Sequence, residues 1–392
     1  MAMSGKKIGI LTGGGDVPGL NAVIKAVVYR ASYLEREVIG IRRGWQGLSH
    51  MNPALDEDTE YMWHLTRENT RTIDRTGGTI LHSSRTNPRR TSKSRVPAHV
   101  TAQDLAKLPT DGDTYDFTPI VLRNLEKLGI GCLVAIGGDD TLSYASWLSK
   151  AGVPLIAIPK TMDNDVQGTE YCIGFSTAIT RADEMVTRQR TILGSHERIG
   201  IFRIFGRDAG FTSLYTSYVA GTRCLIPEYP FDIVRLTEIL LRDKKSNPSR
   251  YSLAIISEGA VWKGQSIGEE GEADAYGHRK KVDIGRALAD EIHRRTGEET
   301  LSSDLTYDLR SGAPDAIDQM VAVTFANIAL DLIRDGVTGQ MVGVQNGCYA
   351  HMDIPAHSLG PRKVNVPLLY DTERYRPNFT NKLGAPLFLT KA

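Results

Sequence analysis

The chain has 392 residues, of which 41% are hydrophobic and 24% charged, with a formal net charge of +1. That length supports two ordinary domains with substantial cores, and the near-zero charge excludes a global field that gathers nucleic acid or a membrane surface. Anionic ligands must be held by local clusters, and the four cysteines, Cys132, Cys172, Cys224 and Cys348, contain no C-x-x-C pair that would mark a metal site or a disulfide framework.

In chain order, Met1–Lys7 leads into the apolar strand Ile8–Leu11 with no signal-peptide pattern. The helix Leu20–Ala31 and the strand Val38–Ile41 follow. The stretch Thr86–Asp113, polar and rich in Pro, Ser, Thr and Arg, reads as a loop or insertion over a site. Next come the helix Thr118–Lys127, the strand Cys132–Ile136, the helix Leu142–Lys150, the strand Leu155–Ile158 and the helix Thr177–Arg190. Strands are predicted at Ile199–Phe205, Cys224–Ile226 and Leu253–Ile256, with a helix at Val234–Leu241. The Gly- and Glu-rich Trp262–Arg279 reads as a surface excursion. Helices at Ile284–Arg295 and Ile317–Arg334 and a strand at Met341–Val344 complete the pattern. No uninterrupted apolar run reaches the ~18 residues of a membrane span, so the expected compartment is the cytoplasm. Continuous apolar strands suit parallel pairing with both faces covered. Their alternation with helices predicts an α/β fold of doubly wound, Rossmann-like domains, with ligands at the carboxyl ends of the strands.

Four motifs sit just after predicted strands. Thr12-Gly13-Gly14-Gly15-Asp16 precedes a helix, where glycines let backbone amides approach a phosphate, although Pro18 and Asn21 fit a structural turn equally well. Gly137-Gly138-Asp139-Asp140-Thr141 carries adjacent carboxylates that suit a magnesium ion shared with phosphate; the plainer reading is a helix start with acidic first-turn residues. Pro159-Lys160-Thr161-Met162-Asp163-Asn164-Asp165 is the densest. There Lys160 can neutralise a transferring phosphoryl group, Asp163 can accept a proton from an attacking hydroxyl, and Thr161 can donate to substrate. Turn capping by Asn and Asp is the alternative. In Phe205-Gly206-Arg207-Asp208-Ala209-Gly210, Gly206 allows a close turn and Arg207 can fork onto phosphate, unless it is a surface arginine.

These motifs, in this order, resemble the phosphofructokinase family over Gly9 to about Asn346, nearly the whole chain. The resemblance implies two similar α/β domains with the active site in the cleft between them: residues 1–174 plus 309–355 bind the phosphoryl donor, and 175–308 plus the C-terminal segment bind a sugar phosphate. By position, Gly15 and Arg85 are implied to contact donor phosphate, Asp139 to associate with Mg2+, and Asp163, beside Thr161, to activate the sugar 1-hydroxyl. Phe205, Gly206 and Arg207 fall on the family's Met-Gly-Arg substrate loop. Glu258, within Ser257-Glu258-Gly259, matches an acid that bonds sugar hydroxyls. Tyr307 and Arg310 replace a His-x-x-Arg that grips the 6-phosphate. Arg198 matches an arginine lent across a subunit interface, which implies a homodimer or homotetramer.

Two residues point to the donor. ATP users in the family usually carry Gly at the positions of Asp140 and Lys160. A carboxylate at Asp140 occupies and repels the place of a nucleotide α-phosphate; at an effective dielectric of ~20 the repulsion is several kcal/mol, and ~1.4 kcal/mol is already tenfold in binding. Pyrophosphate lacks that third group, and Lys160 supplies positive charge where it develops in the transition state. The pair resembles the pyrophosphate-dependent branch, implying reversible phosphorylation of fructose 6-phosphate to fructose 1,6-bisphosphate. ATP dependence, or another acceptor such as sedoheptulose 7-phosphate, stays open. Leu301 stands where an arginine normally reaches the 6-phosphate from a neighbour, and Phe205 replaces Met. Lys25 and Tyr29 stand at the allosteric arginines of bacterial ATP enzymes, which speaks against nucleotide control. The basic run Arg89, Arg90, Lys93 and Arg95 reads as a solvated surface, and the nine histidines show no metal spacing.

Overall fold

The structure is a computed structural model that describes residues 7–55, 58–265, 269–270, 280–281 and 283–379. Its principal strands are β1 (Lys7–Thr12), β2 (Val38–Ile41), β3 (Met62–Leu65), β4 (Ile130–Gly137), β5 (Leu155–Pro159), β6 (Ile199–Ile204), β7 (Arg223–Leu225), β8 (Ser252–Ser257), β9 (Thr300–Asp304), β10 (Gln340–Gln345) and β11 (Cys348–Asp353). Its main helices are α1 (Leu20–Tyr33), α2 (Thr118–Lys127), α3 (Asp139–Lys150), α4 (Phe175–Ser195), α5 (Phe211–Ala220), α6 (Ile233–Ser246), α7 (Ile284–Thr296) and α8 (Ala316–Arg334).

The strands form two sheets. The first has the order β11-β10-β5-β4-β1-β2-β3, the second β7-β8-β6-β9. Every pair in the second sheet is parallel, and in the first only the outer strands β3 and β11 pair antiparallel. The inner strands are buried almost end to end, because helices cover both faces of a parallel sheet. The expected α/β class is therefore observed.

Core packing explains the longest apolar helix. α1 buries Leu20, Val23, Ile24 and Val27, and α8 buries Val321, Phe325, Ala329 and Leu330 in the same cluster. Burying each such large side chain contributes roughly 1.5–3 kcal/mol. By length and composition alone α8 could cross a membrane, although Asp318, Gln319 and Asp331 interrupt its apolar run. Here its apolar side packs as a core helix. Asp318 of α8, fully buried, accepts hydrogen bonds from Tyr171 Oη and from the Gly174 and Thr177 amides, which fastens α8 to the start of α4.

Two polar segments differ from expectation or fall outside view. Thr86–Asp113 is no plain loop over the site. Short helical turns and the Thr110–Asp111/Thr114–Tyr115 hairpin close over a small core of Val100, Leu108, Phe117 and Ile120. Arg89, Arg90, Lys93 and Arg95 are all exposed, as expected of a solvated surface, with Arg89 stacking on Trp147 at 4.9 Å and Lys93 pairing with Asp113 at 2.9 Å. Of Trp262–Arg279, only the part to Gln265 and the strand Glu269–Glu270, paired with Lys280–Lys281, are described. The expected excursion otherwise lies outside the described residues.

Candidate active site

Three loops leave the carboxyl ends of adjacent strands in the first sheet. The registers Thr12↔Ile136 and Gly137↔Pro159 bring β1, β4 and β5 to a common edge. Gly13 N donates to Ile136 O, and Lys160 N to Gly137 O, so the loops stay tied as they diverge. Gly14 turns with φ 78°, and a Cβ on Gly13 would lie 2.5 Å from Thr141 Oγ1. Glycine is therefore required there by both turn and packing. α3 begins at Asp139, so Asp139 and Asp140 stand in its first turn, as the plainer reading of that motif held. The helix N-terminus favours their negative charge.

The second sheet supplies the facing wall. Ser257 pairs with Ile204, so Glu258 and Phe205 emerge side by side from β8 and β6. Gly206 has φ 130°, and a Cβ there would sit 2.8 Å from Ser257 Oγ. Gly259 N donates to Gly206 O at 3.0 Å, which locks the Glu258 turn against the Arg207 loop. β9 then leads to Tyr307 and Arg310.

Between the walls lies a cavity of about 430 Å³. It brings together Gly15, Arg85, Asp139, Asp140, Lys160, Thr161, Asp163, Phe205, Arg207, Glu258 and Arg310. Three anticipated residues are not part of its lining. Gly206 acts through the turn it permits. Tyr307 is 74% exposed and reaches the site through an edge contact with Phe205, ring centroids 6.0 Å apart, and through the Arg310 guanidinium, 6.0 Å from its ring centre. Arg198 precedes β6 at the end remote from Phe205, roughly 20 Å away by strand rise, with its guanidinium 3.9 Å from Glu299. It cannot serve the cavity of its own chain.

The electrostatics are those of a charge-dense site whose central groups are buried. Lys160 is 4% exposed, and its Nζ donates to Gly15 O at 2.5 Å. Burial, then the Arg310 guanidinium, pulls its pKa down to about 8. Asp163 is held well above the ordinary carboxylate range by burial, then by Asp165 and Glu258; the Arg207 amide, 3.4 Å from its Oδ2, opposes the rise. Thr161 Oγ1 accepts from the Asp163 amide and so sets the loop's direction. Arg310 stacks on Phe205 at 4.6 Å, with its Nη2 3.0 Å from where a Cβ on Gly15 would stand. Such convergence of shifted groups in one cleft makes it the candidate reaction centre.

The sequence reading gave no role to Asp165, Asp208, Gly360 or Pro361, yet all four line the cavity. Asp165 shares the motif of Asp163. Burial pushes its pKa up to about 6, with Asp139 and Asp208 adding to the rise. Gly360 and Pro361 belong to a distant segment with no motif to flag it. Among the described residues, no three His, Cys, Asp or Glu side chains cluster as a metal cage. Asp139 and Asp165 together fit a hard cation bound through one or two carboxylates and substrate oxygens, the way Mg2+ is usually held.

The arrangement is that of an α/β protein with a charged cleft between two sheets, and the sequence profile of the phosphofructokinase family matches residues 7–333. The chain belongs to the phosphofructokinase family. It is 36% identical over 383 residues to the pyrophosphate–fructose 6-phosphate 1-phosphotransferase of Dictyoglomus thermophilum, covering 97% of this chain and 100% of that one. It is 35% identical over 344 residues to ATP-dependent 6-phosphofructokinase 3 of Streptomyces coelicolor, covering 86% and 91%. A crystal structure of pyrophosphate-dependent phosphofructokinase from Marinobacter aquaeolei shares the fold, with TM-score 0.73, 17% identity, and 98% and 92% of the two chains covered.

Proposed function

We propose that the protein transfers a phosphoryl group from pyrophosphate to the 1-hydroxyl of fructose 6-phosphate, giving fructose 1,6-bisphosphate and phosphate, reversibly. Relatives named for pyrophosphate and for ATP stand at similar identity, so overall similarity does not choose the donor. The observation that carries the reading is that Asp140 and Lys160 line one cavity with Gly15 and Asp163. Asp140 crowds the path of a nucleotide chain, and the buried Lys160 faces the short donor.

Asp163 accepts the proton of the 1-hydroxyl as its oxygen attacks the donor's nearer phosphorus. Its raised pKa makes it a stronger base for that task. Lys160 and Arg207 face the transferring group, Gly15 and Arg85 hold the leaving phosphate, and Tyr307 and Arg310 grip the sugar 6-phosphate. Glu258 accepts from sugar hydroxyls. A Mg2+ ion at Asp139, with Asp165 beside it, would neutralise donor charge. Residues 1–174 plus 309–355 form the donor side, and 175–308 plus the C-terminal segment the sugar side. The working unit is a homodimer or homotetramer in which Arg198 reaches a neighbour's site; its place at the far end of β6 supports this. Leu301, with no charge for a 6-phosphate, favours a second acceptor reading, sedoheptulose 7-phosphate.

The test is a donor-by-acceptor activity matrix on purified protein with Mg2+. Turnover is expected with pyrophosphate and fructose 6-phosphate and not with ATP. Productive turnover with ATP alone overturns the donor assignment, and a strong preference for the seven-carbon sugar overturns the acceptor.

A further inference from the structure

The catalytic loop is held from outside its own sheet. Asn164, between Asp163 and Asp165, has φ 52°, a left-handed state that asparagine tolerates better than most non-glycine residues. Its side chain helps: Nδ2 donates to Glu170 O, and Oδ1 accepts from Cys172 N. The carbonyl of the same residue is gripped from a distant segment. Arg362 Nε and Nη2 donate to Asn164 O at 3.1 and 2.6 Å, and Nη2 also reaches Glu170 O at 3.3 Å. The Arg362 amide donates to Asp165 O at 2.6 Å. The guanidinium lies 4.3 Å from the centre of the Phe211 ring, so stacking fixes the plane of the fork.

The segment that carries Arg362 also touches the opposite wall. Gly360 and Pro361 line the cavity. Val364 N donates to Glu228, whose carboxylate also accepts from Gly210 N at the end of the Arg207 loop. One short strap therefore joins the loop of the base to the loop of the phosphate-binding arginine.

We propose that Arg362 is a positioning residue for phosphoryl transfer, clamping the Asn164 carbonyl so that Asp163 is aimed at the acceptor hydroxyl. The inference rests on Asp163 acting as the base. A group that only orients reacting atoms governs turnover more than binding, and a displacement of ~1 Å costs about 100-fold in rate.

The full-length wild type is first assayed to find the donor and acceptor pair it turns over. The variants are then measured on that pair, so a wrong donor assignment is recognised separately. For Arg362→Ala we expect kcat to fall by about 30- to 100-fold, with both KM values within about threefold. Guanidinium ion at low, non-denaturing concentration should recover part of that kcat, while ammonium ion should not. Arg362→Lys keeps the charge but loses the fork, and should stay folded yet turn over about tenfold more slowly than wild type. Wild-type kcat in either folded variant overturns the proposal. So does a change confined to KM, or the absence of guanidinium rescue in folded Arg362→Ala. If Arg362→Ala does not fold, the Arg362→Lys rate decides alone.

Discussion

Replacing Lys160 by methionine separates the charge of this side chain from its bulk. The amine is buried, and its pKa lies near 8 rather than the ordinary 10.5. The protonated form is therefore disfavoured in the native state. The unfolded chain binds this proton more tightly, so stability rises with pH between about 8 and 10.5. Below pH 8 the full penalty is present, and the shift corresponds to roughly 3 kcal/mol. Losing the bond to Gly15 O offsets about 1 kcal/mol of that. Lys160→Met should therefore be more stable than wild type at pH 7, by about 2 kcal/mol. Its kcat with pyrophosphate should nevertheless drop by about 100- to 1,000-fold, the effect of removing one preorganised donor from a developing charge. Urea unfolding at pH 7 measures the first quantity, and an aldolase-coupled assay the second. The kcat/KM profile of the wild type should fall above about pH 8, and the variant should lack that limb. A variant that is destabilised at pH 7, or that keeps kcat within about threefold, refutes the reasoning.

Asp140→Gly should admit ATP weakly while keeping pyrophosphate turnover; no ATP binding in a folded variant counts against the steric and charge argument. Arg203 stands among Asp304 at 2.9 Å, Glu258 at 3.4 Å and Asp283 at 4.0 Å, and because both Asp side chains are partly solvent-exposed, Arg203→Met should lose about 1–3 kcal/mol in urea unfolding. It should also raise the sugar-phosphate KM and leave the pyrophosphate KM in place; equal effects on both substrates argue against a local role. Arg198→Ala and Asp163→Asn should each be nearly inactive, yet co-refolded mixtures should recover activity through sites that pair an intact Asp163 with a neighbour's intact Arg198. No recovery in confirmed mixed oligomers removes Arg198 from the site.

Local chemistry was readable where it was contiguous. Lys160, Thr161 and Asp163 fall within one turn after β5, and the glycines around them announce close backbone approach. Secondary structure was readable where patterning was strong, as in β4 and α1. It was missed in α5, whose Thr, Tyr, Phe and Val residues favour strands; burial of Phe211 and Leu214 against the second sheet overrides that preference. It was missed again in β9, where Thr300–Asp304 is polar and owes its conformation to pairing with β6. The raised pKa of Asp165 was equally out of reach, since it depends on how deeply the loop is buried.

Residue order alone determined that alternating strands and helices would build parallel sheets, and that phosphate-binding turns, a candidate base and a lysine would stand at strand ends. Both are short-range facts, set by side-chain period and by glycine's backbone freedom. The family resemblance implied a cleft between two domains, and only the tertiary structure decided which side chains of the two sheets line it. It also decided that Arg198 lies too far away to serve its own chain, and that Arg362, 198 positions beyond Asn164, clasps the catalytic loop. Those contacts join residues that are remote along the chain, and only the packing of the two halves brings them together.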